Sequence, residues 1–198
     1  MLKVFSLLFL LTTSIASGQN IDGFMGMKFG SSSDVVKKIM LDKPDCTLDK
    51  KNSTITRMVF DGIRFAGRKT LFVALSFIDD KLFNGSAYFK PDLESKTLDL
   101  YNEMREEINE KYYSTEFDFE TYKSPYAKGD GHTEMAIKLG KANFAAFWTG
   151  KDPTTGVADS NAISLEISES LFIVLNYQDG KLARLNTIKT KEKNSADY

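Results

Sequence analysis

Three apolar runs follow one another in the first half of the chain, and they constrain the fold more than any other feature. The runs cover residues 56–65, 69–78 and 82–90, and only short turns separate them. They are rich in Phe, Val, Ile and Leu, which predicts β-strands. Parallel strands need a long crossover between them, so connections this short predict antiparallel pairing.

Two segments with helical periodicity lie beside these runs. In the first, residues 31–41, the apolar side chains at helical spacing are Val35, Val36, Ile39 and Met40. The second is expected to begin at Asp92, a favourable N-cap residue after Pro91, and to end near Tyr113. Its apolar stripe consists of Leu98, Tyr101, Met104, Ile108 and Tyr112. Both stripes predict helix faces that pack on the sheet.

The stretch GMKFGSSSDVVKKIM, residues 26–40, could cradle an anion or cap the first helix. A Walker-type phosphate loop needs a lysine that is missing after Gly30. Ser31 and Asp34 instead form a pattern like a capping box, and the Asp34 carboxylate occupies the positive helix end. We therefore interpret this stretch as a helix entry.

The second half of the chain is predicted to be rich in strands. The candidate strands are residues 116–122, 133–139, 142–149, 162–168, 171–178 and 181–188. Together with the earlier elements they predict an α+β fold, with a two-layer architecture. In this architecture an antiparallel multi-stranded sheet carries two helices on one face.

The chain is expected to divide into a signal peptide, one domain and a tail. Residues 1–18 combine a basic start at Lys3, a short apolar core and small residues, which predicts an exported protein cleaved near Gly18. Residues 19–188 are long enough for a single α+β domain. Residues 189–198 are polar and charged, and they are expected to form a solvated tail. The predicted location is therefore secreted or periplasmic.

A weak internal echo suggests a duplicated plan for this domain. FIDDKL at 77–82 resembles YQDGKL at 177–182, and each lies at the tip of a predicted hairpin. A helix followed by strands also occurs in both 19–90 and 91–188, which is consistent with two related halves. The alternative is that turns of this composition recur in any β protein.

Composition excludes several classes of function. The 26 basic and 27 acidic residues nearly balance, so nothing favours nucleic acid or an anionic membrane as partner. A single cysteine, Cys46, permits no internal disulfide, and one cysteine with one histidine predicts neither a zinc site nor a cofactor site. No nucleophile motif is present. A pair of carboxylates for a secreted hydrolase remains an alternative among the many acidic residues.

Aromatic residues in the second half are the candidate binding groups. Alternation in NFAAFWT, residues 143–149, predicts Phe144 and Trp148 on one face of a strand and Phe147 on the other. A strand apolar on both faces is fully buried, or it covers the core with one face and a partner with the other. The candidate binding residues are Trp148, Tyr122, Tyr126 and His132.

The helix entry also carries a resemblance. The segment from Gly26 through Phe29, Gly30 and Asp34 to Val35 resembles the helix entries of exported α/β modules that are like the β-lactamase inhibitor protein, and those of SmpA/OmlA-type lipoproteins. The resemblance implies a helix packed on an antiparallel sheet and a noncatalytic protein-binding role in an envelope or extracellular setting. It transfers no functional residue. We therefore expect a noncatalytic binding module whose partner is a protein or an apolar ligand, with a hydrolase or an apolar-ligand carrier as alternatives.

Overall fold

A computed structural model describes residues 20–112, 115, 117–151 and 158–195. Its four α-helices are α1 Ser33–Leu41, α2 Thr97–Tyr112, α3 Thr133–Lys138 and α4 Gly180–Ser195. Its strands are β1 Gly23–Phe24, β2 Met27–Lys28, β3 Thr47–Leu48, β4 Arg57–Asp61, β5 Arg64–Phe65, β6 Arg68–Lys69, β7 Phe72–Ile78, β8 Lys81–Phe89, β9 Phe117–Tyr122, β10 Ala142–Lys151, β11 Ala158–Ile167 and β12 Ile173–Gln178. The predicted signal peptide lies outside the described residues.

Eight of these strands form one antiparallel sheet in the order β3-β4-β7-β8-β12-β11-β10-β9. Both halves of the chain therefore contribute to the same sheet. The short pairs β1–β2 and β5–β6 form separate two-stranded sheets. The predicted α+β class with an antiparallel sheet is confirmed, and most of the three opening apolar runs forms the neighbours β4, β7 and β8. The end of the first run and the start of the second instead form the separate pair β5–β6.

The register divides the large sheet into two faces. Leu75, Leu165 and Leu175 point to what we call the core face, which the main hydrophobic cluster covers. Residues one position away, such as Ala74 and Val174, point to the opposite side, which we call the outer face. As predicted, Phe144 and Trp148 share the core face, and Phe147 points to the outer face.

Helices α1, α2 and α3 supply side chains to the cluster on the core face. The α2 stripe is confirmed, since Tyr101, Met104, Ile108 and Tyr112 are buried. In α1, Val36 and Met40 are buried, but Val35 is exposed, so its predicted place on the packing face is wrong. Asp92 does not cap α2, because a 3₁₀ turn at Glu94–Lys96 precedes that helix.

Two predicted strands are helices in the structure. Residues 133–139 form α3, where Ala136 and Ile137 are buried while Met135 and Leu139 are exposed. Residues 181–188 belong to α4, which continues through residues predicted to be a tail. The structure therefore has more helices than the two predicted. The short apolar patterns at these two sites fit the period of a helix as well as that of a strand.

Helix α4 lies across one end of the outer face. It packs against β11, β8 and β7, and the Nζ of Lys189 lies 2.6 Å from a carboxylate oxygen of Asp79. Ile78, next to Asp79 in the chain, points to the outer face. It is buried because α4 covers this end of the sheet.

The internal echo does not correspond to a repeated hairpin. FIDDKL forms the turn between β7 and β8, with Asp79 and Asp80 both at positive φ. YQDGKL instead joins the end of β12 to the start of α4. The prediction that both segments lie at hairpin tips is therefore wrong for the second one.

Candidate functional site

Strand β9 is the outermost strand of the large sheet, and it is open to solvent. Its first five residues are exposed and Tyr122 is half-buried. Just beyond its last pair with β10, the N–H of Lys123 donates to the carbonyl oxygen of Lys141 at 2.7 Å. Hydrogen-bonded pairs alternate along an antiparallel ladder. The backbone N–H and C=O groups of Asp118, Glu120 and Tyr122 therefore point away from β10, toward the open edge.

An aromatic cluster, formed by Phe117, Phe119 and Phe147, lies on the outer face beside this edge. Phe117 is 56% exposed and Phe119 is 45% exposed. The Phe117 and Phe119 rings are stacked with centroids 6.3 Å apart, and Phe119 meets Phe147 edge-on at 5.9 Å. Large apolar groups gathered at one exposed place mark interaction sites more often than isolated ones do.

The middle of the outer face is more polar than this corner. The side chain of Asn176 donates to the Ser164 hydroxyl at 3.1 Å, and the Ser86 hydroxyl donates to Asn84 at 2.9 Å. The apolar part of the outer face near β9 is thus bordered by hydrogen-bonded side chains. This border limits the apolar contact surface to the aromatic cluster and its surroundings.

A polar groove of about 730 Å³ lies on the core face of β9, between α2 and the loop that leads to α3. Its wall contains two ion pairs. A guanidinium nitrogen of Arg105 lies 2.7 Å from a carboxylate oxygen of Asp118, and Lys128 lies 2.5 Å from Glu120. The Tyr122 hydroxyl is 3.2 Å from Glu120. We call this site the edge groove; its remaining lining residues are Leu98, Asn102, Gly129, Thr133 and Phe144.

The hydroxyl of Tyr101 lies beside the edge groove without a hydrogen-bond partner among the described residues. Tyr101 is 1% exposed, and its ring meets Phe144 edge-on at a centroid distance of 6.1 Å. Burial raises the pKa of the Tyr101 phenol. The Asp118 carboxylate raises that pKa further, Arg105 opposes the rise, and Glu120 adds to it. The phenol therefore stays protonated and available as a hydrogen-bond donor.

The four residues predicted from sequence do not form one site. Tyr122 lines the edge groove, and its hydroxyl is 3.3 Å from that of Thr133, the residue after His132. Tyr126 is partly buried against the core, and His132 is exposed, with its backbone N–H donating to Asp130. Trp148 is 1% exposed and its indole N–H donates to Asn109 at 2.8 Å, so it has no surface for a partner.

The sequence analysis did not identify the β9 side chains that border the open edge. FDFE in β9 alternates aromatic and acidic residues, which places Phe117 and Phe119 on one face and Asp118 and Glu120 on the other. That alternation is visible in the sequence. The position of the strand at the edge of the sheet is not, and an inner strand of the same composition would be unavailable to a partner.

Other chemistry has little support in the described residues. No group of three or more His, Cys, Asp and Glu side chains there could hold a metal ion, and no helix there is long and apolar enough to cross a membrane. Burial raises the pKa of the half-buried Cys46 thiol, which disfavours the thiolate that a nucleophile needs.

The comparisons with known proteins add no relative to this description. No protein-family model, curated protein or solved structure matches the chain. Strand β9 and the two surfaces beside it form the candidate site.

Proposed function

We propose that the protein is a noncatalytic binding module, secreted or periplasmic, that takes up an extended segment of another protein as an additional strand on β9. The observation that carries this proposal is the open edge of β9, where outward backbone groups lie beside an exposed aromatic cluster. The predicted signal peptide supports the location, and the resemblance to exported binding modules supports the role.

Strand addition uses both features of this edge. Main-chain hydrogen bonds to Asp118, Glu120 and Tyr122 would supply affinity, since an extended peptide can continue a ladder at an unpaired edge. The partner residue opposite Phe119 would occupy a non-hydrogen-bonded pair, in which side chains lie closest together. Aromatic and β-branched residues pack well in such pairs, so the partner segment should carry large apolar residues there.

Both alternative functions fit the geometry less well. For a hydrolase, Asp118 and Glu120 share the edge groove, but each is held in an ion pair. For a carrier, the two larger grooves are lined by many charged side chains, and the two pockets beside Tyr112 and Tyr177 have volumes of about 300 and 230 Å³. These volumes are at or below the lower end for ligand sites, which is about 300 Å³.

A proline scan of β9 tests the proposal. Peptides are first selected from a random library on the immobilised protein, and their binding is then measured against variants. Glu120→Pro removes an outward N–H and leaves the ladder with β10 in place, so it should abolish binding without unfolding the sheet. Glu120→Ala keeps the N–H and is the matched control for loss of the side chain.

Hydrogen exchange shows where the selected peptides bind. Binding should slow exchange at the outward amides of Asp118, Glu120 and Tyr122. Peptides that protect another segment, or that bind Glu120→Pro as tightly as Glu120→Ala, would contradict strand addition.

The aromatic cluster is tested by a second matched pair. Phe119→Ser should weaken the selected peptides by about tenfold, because it removes a large apolar contact worth roughly 1–2 kcal/mol. Ile55→Ser removes a still more exposed apolar side chain elsewhere on the surface and should leave binding unchanged. Equal losses in the two variants would count against the cluster as a binding surface.

A further inference from the structure

The edge groove lies where a strand added to β9 would direct every second side chain. Because Asp118 and Glu120 point to the core face, partner residues opposite them point to the same face and lie over the groove. Partner residues on either side of these point to the outer face, toward Phe117 and Phe119. This inference deepens the proposed function and rests on it.

The groove has unused capacity to accept hydrogen bonds. An ionised carboxylate offers about four lone-pair sites. Among the described residues, Asp118 accepts a side-chain hydrogen bond from Arg105, and Glu120 accepts from Lys128 and Tyr122. These contacts occupy fewer than half of the sites on the two carboxylates. A donor-bearing side chain from a partner can therefore be accommodated beside the existing ion pairs.

The two carboxylates of the groove are paired with Arg105 and Lys128, and aromatic side chains lie beside them. Tyr122 and Phe144 add aromatic surface at the same place, and aromatic faces attract cations.

Lys128 forms the more exposed of the two ion pairs that hold the carboxylates. Its side chain is 75% exposed, whereas that of Arg105 is 28% exposed. Exposed ion pairs contribute little to stability, so Lys128 can give up Glu120 at small cost. Arg105 keeps Asp118 in position as it does so.

We infer that the edge groove binds a lysine or arginine side chain of the added segment, at a position flanked by two large apolar residues. The cation contacts the carboxylates of Asp118 and Glu120, and its aliphatic part lies along Tyr122 and Phe144. The partner class is thus an extended segment in which apolar and basic residues alternate, and acidic residues opposite the groove are rejected.

Peptides of defined sequence test this inference on the purified protein. The probes are Thr-Val-Thr-Val-X-Val-Thr-Val with soluble Gly-Ser arms and a fluorescent label, where X is Lys, Gln or Glu. The Lys peptide should bind about fivefold more tightly than the Gln peptide, and the Glu peptide should bind most weakly. The preference for Lys should fall as salt is added.

Variants of the groove identify the source of the preference. In Asp118→Asn/Glu120→Gln the Lys and Gln peptides should bind equally. Asp99→Asn, which removes an exposed carboxylate elsewhere on α2, should keep the preference. If the Lys preference survives in the double variant, or never occurs in the unmodified protein, the cation site is overturned.

The outcomes separate this inference from the proposed function. If all three peptides bind equally and Glu120→Pro abolishes binding, strand addition stands and the cation site falls. If none of the peptides binds and none slows exchange in β9, strand addition itself is overturned.

Discussion

The Oδ1 atom of Asp80 accepts a 3.0 Å hydrogen bond from the backbone N–H of Ser33, the first residue of α1. Asp80 lies in the turn between β7 and β8, 47 positions along the chain from Ser33. The N-cap residue Ser32 makes no side-chain capping bond of its own. The cap expected from Ser31 and Asp34 is thus supplied by the hairpin, which joins the first helix to the sheet.

Replacing Asp80 should loosen α1. Asp80→Ala removes the acceptor and should lower the melting temperature by a few degrees, with faster amide exchange in the first turn of α1. Ser32→Ala is the control and should have little effect, because its hydroxyl makes no capping bond. A large loss in Ser32→Ala with none in Asp80→Ala would show that the cap is local.

The same contact predicts a pH dependence. The hydrogen bond to Ser33 lowers the pKa of Asp80. A carboxyl with a lowered pKa in the folded state stabilises the fold above its unfolded pKa, and this stability is lost as pH falls through the folded pKa. Asp80→Asn keeps a neutral acceptor. The difference in melting temperature between the protein and Asp80→Asn should be constant above about pH 5 and shrink below about pH 4.

The β5–β6 hairpin is tied to α2 by Arg68. Its two guanidinium nitrogens each lie 2.7 Å from a carboxylate oxygen of Glu107, and this pairing lowers the pKa of Glu107. Arg68→Gln should cost less than about 1 kcal/mol, since the pair is partly exposed to solvent. It should speed amide exchange across the hairpin, and added salt should reduce the difference.

Arg68→Lys is the matched variant for this contact. It keeps the charge but cannot make the two-pronged bond, so exchange in the hairpin should be intermediate. Because the Glu107 pKa is lowered, this contribution should be present near neutral pH and be lost in acid. Exchange that is unchanged in both variants would mean that Phe65, packed in the core, holds the hairpin alone.

Trp148 is the most useful probe of the core. Trp148→Ala should lower the free energy of unfolding by about 3–5 kcal/mol, because it leaves a cavity and removes the bond to Asn109. Urea unfolding followed by circular dichroism measures this loss. Trp148 is also the single tryptophan of the chain, so the fluorescence of the unmodified protein should have a buried spectrum that shifts on unfolding.

Trp148 and Phe119 should separate stability from binding. Under conditions in which Trp148→Ala stays folded, it should bind the selected peptides normally. Phe119→Ser should lose binding and keep its stability. The reverse pattern would place the binding surface on the core side of β10.

The ring of Phe24 leaves no space for a side chain at position 85. A Cβ added at position 85 would overlap that ring, which is fully buried in the core. Gly85→Ala should therefore destabilise the protein by about 1–3 kcal/mol through overpacking. Chemical denaturation of Gly85→Ala, Phe24→Leu and the double variant would measure the coupling between the two residues.

The double variant provides the decisive comparison for this pair. A smaller side chain at position 24 should relieve the overlap, so the double variant should be more stable than the sum of the single losses predicts. Strict additivity would show that Gly85 is required by its backbone and not by Phe24.

Local pattern determined most of the sheet. The short turn between β7 and β8 predicts their antiparallel pairing. The first two runs also pair antiparallel, as β4 and β7, although the β5–β6 pair lies between them in the chain. Alternation in residues 143–149 assigned Phe144, Trp148 and Phe147 to the correct faces. These features depend on neighbours in the chain, so the sequence alone was sufficient.

Two short segments predicted as strands form helices, and tertiary packing decided one of them. Residues 133–138 alternate like a strand, yet they form α3 because Ala136 and Ile137 are the pair that the core can bury. Residues 181–188 belong to α4, where Leu182 and Leu185 lie three apart, which is a helical spacing. The surface available for packing therefore selected α3, whereas α4, none of whose own residues is buried, agrees with the local spacing.

The open edge of the sheet was also decided only in the tertiary structure. The sequence determined that β9 would carry aromatic groups on one face and carboxylates on the other. Strand β12 pairs with β8 inside the sheet and leaves β9 outermost. Strand order depends on contacts between distant parts of the chain, and it is this order that leaves the backbone of β9 and its two faces exposed to solvent.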